Sequence, residues 1–131
     1  MPLVIPKIEF DTDGPPLSVE IVFPTLQVVS YTLTLKEAGS NSVVVREEGD
    51  NTNPEDDKYV LPTPSSMNNM RSLLFGATFI DPGQKPTAPF RADAIVRQGT
   101  TECGRLVVAG VMSDRSSSGS DWAKLVAKGR A

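Results

Sequence analysis

The sequence predicts an all-β domain, an antiparallel β-sandwich of about eight strands with one short helix, immunoglobulin-like or jelly-roll-like in topology. Three observations lead there. Apolar residues alternate with polar ones in short runs bounded by proline, glycine, asparagine and aspartate. Eleven prolines in 131 residues suit strand ends and loops, not a helical bundle. Helical spacing of apolar residues is confined to short segments, of which Ser65 to Leu74 is the best candidate. A chain of this length fits a single domain over residues 1–131, able to bury its own core.

Taken in order, Leu3 to Phe10 reads as an edge strand, with Pro2 and Pro6 restricting its ladder. The run Asp11-Thr12-Asp13-Gly14-Pro15-Pro16 is a turn. Leu17, Val19, Ile21 and Phe23 share one face of the next strand, and Pro24 ends it. Leu26 to Lys36 turns Tyr31, Leu33 and Leu35 inward and Ser30, Thr32, Thr34 and Lys36 outward. A turn at Glu37 to Asn41 and a valine-rich return over Ser42 to Glu47 make a β-hairpin of 26–47.

Glu48 to Lys58 reads as a long acidic loop, followed by a short strand at Tyr59 to Leu61. Ser65 to Leu74 is the helical candidate, capped by serine and carrying Met67, Met70, Leu73 and Leu74 at helical spacing; it could serve as a single crossover turn between sheets. Leu74 to Ile80 is a buried strand. Phe90 to Gln98 alternates, with Arg91, Asp93 and Arg97 outward. Thr100 to Ser113 forms a further strand, with Gly110 as the expected bulge. Asp114 to Ser120 reads as a loop tip. Asp121 to Lys128 fits both periods, and a strand is preferred because Leu106 to Met112 needs a hairpin partner.

Composition removes several functions. There is no histidine and a single cysteine, Cys103, so the commonest general base, the commonest metal ligand and any internal disulfide are gone. No serine sits in a Gly-x-Ser-x-Gly elbow, and the glycine-rich phosphate and dinucleotide loops are missing. An enzyme is therefore not expected. Net charge is −3, which argues against general nucleic-acid binding. No apolar run reaches membrane-spanning length, and the N-terminus lacks the pattern of a secretory signal peptide, so a cytoplasmic location is the default expectation. Charge is unevenly spread: residues 1–60 carry four basic and eleven acidic side chains, and residues 61–131 carry nine and five.

Three sets of residues are candidates for contact. The acidic loop offers Asp50, Asn51, Glu55, Asp56 and Asp57, an oxygen-rich set of the kind calcium takes, although the EF-hand register fails because no glycine follows five residues after Asp50. The plainer expectation there is a solvated loop that protects a strand edge. Trp122, the one tryptophan, stands beside a Ser/Gly-rich stretch and could serve as a sugar platform; core packing is the competing expectation. Arg91, Arg97 and Arg105 would form a basic stripe if their strands are neighbours, with an ordinary solvated face as the alternative. The function expected is a non-enzymatic structural or adaptor module contacting another protein or itself. The alternative is a small lectin-like module for a glycan partner, with no obligatory cofactor but with calcium dependence possible through the acidic loop.

Overall fold

A computed structural model describes residues 6–25, 27–50, 57–80, 88–112 and 116–128. Nine strands lie in them: β1 (Lys7–Phe10), β2 (Leu17–Val22), β3 (Val28–Lys36), β4 (Val43–Asp50), β5 (Asp57–Val60), β6 (Ser72–Ile80), β7 (Pro89–Gln98), β8 (Thr101–Val111) and β9 (Ser116–Ala127). They form two sheets packed face to face, a larger one in the order β1-β9-β6-β3-β4 and a smaller one in the order β5-β2-β7-β8. The all-β sandwich is thus the architecture. All pairings are antiparallel except that of β1 with β9, where Lys7 aligns with Lys124 and Phe10 with Ala127.

Alternation explains the layers. On β3 the inward positions Val29, Tyr31, Leu33 and Leu35 are buried, as are Leu73, Phe75, Ala77 and Phe79 on β6. Leu17, Val19 and Ile21 of β2 and Ala92, Ala94 and Val96 of β7 meet them from the smaller sheet. The expected hairpin forms as β3 and β4, from Val28 to Asp50, with Leu33 opposite Glu47 and Thr34 opposite Arg46; Leu26 lies outside the described residues. At one end of the sandwich, buried Gln98 holds the turn after β1: its Oε1 accepts from the Asp11 N–H at 2.8 Å, and its Nε2 donates to the carbonyls of Asp11 and Pro15 at 2.7 and 3.0 Å.

Five expectations need correction. The helix over Ser65 to Leu74 shrinks to a 3-10 turn at Ser65–Asn68. Leu73 begins the period-two series of β6, and Met67 and Met70 are 51% and 43% exposed, so the helical spacing marked no buried stripe. The segment does serve as the crossover from the smaller sheet to the larger. Arg71 anchors it, buried, with a two-pronged ion pair to Glu37 (3.0 and 3.2 Å) and a bond to Asn68 Oδ1 at 3.2 Å. That pairing holds the Glu37 carboxyl below its ordinary range, chiefly through the hydrogen bond from Arg71.

The acidic loop is shorter than expected: β4 runs to Asp50 and β5 starts at Asp57. The loop tip at Asp114 to Ser120 also gives way, because Ser116 to Ser120 are strand, paired with β6 from Ile80 to Gly76. The C-terminal segment is a strand as expected, but its partners are β6 and β1 in the opposite sheet. Among the described residues β8 has one ladder partner, β7. Finally, the irregularity in β8 falls at Cys103, which is the extra residue between the pairs Val96–Gly104 and Arg97–Glu102, and not at Gly110. Gly110 instead lies under the Phe90 ring, where a Cβ would approach to 2.8 Å.

Candidate functional site

The outward faces of the two sheets differ in chemistry. On the smaller sheet, β7 and β8 are neighbours, so Arg91, Arg97 and Arg105 do share a face. Each is already paired. Arg91 grips Asp93 with two bonds of 2.7 and 2.9 Å, and Arg105 Nη1 reaches the same carboxylate at 2.8 Å. Arg105 also donates to both oxygens of Glu102, at 2.9 and 2.6 Å, while Arg97 pairs with Glu20 of β2. Asp93 is only 3% exposed beneath this cover, and Ile95 beside it 5%. The forked bond from Arg91 keeps the Asp93 carboxyl below the ordinary range in spite of burial, and Arg105 lowers that of Glu102. The basic stripe is a closed network of opposite charges.

The larger sheet presents a different surface. Its outward rows follow from register. One row reads Ser120, Gly76, Thr32, Glu48 across β9, β6, β3 and β4; the next reads Ser118, Thr78, Ser30, Asp50. Small side chains in the middle and longer ones on β4 leave an open trough of about 750 Å³. Gly76 is its floor: a Cβ there would meet only Thr32 Oγ1 at 3.8 Å and the Gly119 carbonyl at 3.9 Å. Glu48 lies at the rim, ion-paired with Arg46 at 3.1 Å, both well exposed.

Trp122 occupies the adjoining outward row, opposite Leu74, and is 42% exposed. The core-packing expectation for it does not hold. Asp121 fixes its backbone: Oδ1 accepts from the Trp122 N–H at 2.9 Å, and Oδ2 accepts from the Val107 N–H of β8 at 3.0 Å. The same carboxylate therefore covers part of the β8 edge and joins the two sheets. Beyond Trp122 comes a row of Lys7, Lys124, Ser72 and Lys36 on β1, β9, β6 and β3.

Of the proposed calcium ligands, Asp50 ends β4 at the trough. Asn51, Glu55 and Asp56 lie outside the described residues, as does the side chain of Asp57. Among the described residues no group of three or more acidic or sulfur ligands is gathered for a metal. Cys103 is half-buried, donates to Gln98 Oε1 at 3.7 Å, and has its thiol pushed up by burial, which makes it a packing residue.

Sequence reasoning nominates Trp122 for contact and turns Ser30, Thr32 and Thr34 of β3 outward without assigning them a role. It missed the trough, because Ser118 and Ser120 were assigned to a loop and Gly76 carried no chemistry of its own. The usable signal was the unbroken run of small residues Ser116-Ser117-Ser118-Gly119-Ser120, whose alternate members 116, 118 and 120 face outward once the segment is a strand. Comparison with protein-family models, curated proteins and solved structures returned no match.

Proposed function

We propose that this chain is a non-catalytic carbohydrate-binding module whose ligand lies along the outer face of the larger sheet. The observation that carries the reading is the trough of about 750 Å³ with Trp122 in the adjoining outward row. Sugars present hydroxyls that donate and accept, and serine and threonine hydroxyls do both. The carboxylates of Glu48 and Asp50 supply acceptors at the rim. On the opposite side of the trough, the Trp122 indole on β9 offers a large apolar plate for the C–H face of a ring. Hydrolysis is disfavoured, because a general-acid carboxyl requires an apolar enclosure, whereas Glu48 is exposed and ion-paired. No helix among the described residues is long and apolar enough to cross a membrane.

The test is a printed glycan array probed with the wild-type chain and with Gly76→Val, in calcium and in chelator. The reading requires that some glycans bind the wild type and that Gly76→Val, which fills the trough floor, loses them. Absence of binding to any glycan, or equal binding by Gly76→Val, rejects it.

Contact between copies is the second reading, favoured by the outer edge of β4. Among the described residues no strand pairs with that edge, and its Val43 is 54% exposed. Light scattering across protein concentration, at low and high salt, separates the two: a monomer throughout removes the edge reading and leaves the trough untouched.

A further inference from the structure

We infer that the ligand of this face carries an acidic group, bound by the row Lys7, Lys124 and Lys36. The inference rests on the carbohydrate reading above and adds the charge class of the sugar. Lys7 and Lys124 are direct cross-strand partners on β1 and β9, and Lys36 stands two strands away in the same row, across Ser72. All three occupy outward positions. Their situation is unlike that of the arginines on the other sheet. Among the described residues, none of the three has an acidic side chain within ion-pairing distance. Glu9 is the nearest acid along β1, two positions from Lys7 on the same outward side, and it leaves the row cationic.

Like charges placed directly opposite across two strands repel, so the fold carries a local cost at Lys7 and Lys124 that a bound anion would relieve. The row adjoins that of Trp122, about 7 Å away at the rise of a β-strand, and the trough begins one row further. A saccharide stacked on Trp122 with its neutral rings in the trough would set a carboxylate or sulfate at the far end onto the lysines. Lysine suits this task because its ammonium on a flexible stem serves as a point charge for ligands of varied geometry.

The experiment prints glycans in matched pairs, each neutral chain beside its carboxylated or sulfated counterpart, including tetragalacturonate and its methyl ester. Wild type, Gly76→Val and the triple variant Lys7→Gln/Lys36→Gln/Lys124→Gln are compared at low and high salt. The expected result is that wild type prefers the acidic members by about tenfold or more, that salt erodes this preference, and that the lysine variant loses it while its melting temperature holds or rises slightly as the Lys7–Lys124 repulsion is removed. Equal binding of neutral and acidic members by wild type overturns the inference and leaves the carbohydrate reading standing. An unchanged preference in the lysine variant also overturns it. Failure of every glycan to bind overturns the carbohydrate reading itself.

Discussion

The two outer faces of this sandwich carry similar numbers of charged residues and use them in opposite ways. On the smaller sheet, Arg91, Arg105, Asp93 and Glu102 form one network and Arg97 and Glu20 form a pair, so little charge is left to meet a partner. On the larger sheet, Lys7, Lys36 and Lys124 are unpaired among the described residues, the central strands carry hydroxyls and a glycine, and Trp122 is half exposed. Counting cations along the chain points to the arginines, while tracing their partners points to the lysines. A charged surface is available for recognition only where its own neighbours have not already neutralised it.

The largest effect expected on this contrast comes from the closed face. Asp93→Ala leaves Arg91 and Arg105 facing each other over a small void and is expected to destabilise the fold by about 2–3 kcal/mol, somewhat below the usual cost of breaking a fully buried pair because both guanidinium groups remain partly solvated. Urea unfolding midpoints measure it. Ligand binding to the trough should not change.

Acid should act through the same residue. The Asp93 carboxyl is held below its unfolded value by Arg91 first, with Arg105 adding to it. Its contribution to stability is therefore complete above the unfolded pKa of about 4 and is lost as pH falls through the lower folded value. Unfolding at about pH 6 and about pH 3 should show the advantage of wild type over Asp93→Asn shrinking at the acid end. An advantage that grows toward acid would contradict the assignment.

On the open face, Gly76→Val should abolish about 99% of glycan affinity while leaving stability equal or slightly higher, since valine suits a strand interior better than glycine. Trp122→Ala should weaken binding about tenfold with a smaller change in melting temperature, read by titration calorimetry and thermal unfolding. The smallest effect belongs to Arg97→Gln, which breaks the pair with Glu20: a change of about 0.5 kcal/mol in stability and none in binding.

Much of the sandwich was legible in the sequence. The alternation of Tyr31, Leu33 and Leu35 against Ser30, Thr32 and Thr34 placed β3, and the return through Val43 to Val45 placed its hairpin partner. These are local signals. The partition into sheets was not legible, because the pairing of β9 with β6 and with β1 joins residues far apart in the chain, and alternation says which face a residue takes without saying which strand lies beside it. Met67, Met70 and Leu74 misled for a related reason: helical spacing over so short a run competes with the longer period-two series through Leu73, Phe75, Ala77 and Phe79. At the site, Trp122 could be nominated from its neighbours. The trough could not, since it exists only where register stacks Ser120, Gly76 and Thr32 in a row.

The most direct test of the account is to probe one glycan array with wild type, Gly76→Val and Arg105→Gln in parallel. The account predicts binding by wild type and Arg105→Gln and loss in Gly76→Val. Loss in Arg105→Gln with binding retained in Gly76→Val would place recognition on the closed face and contradict it.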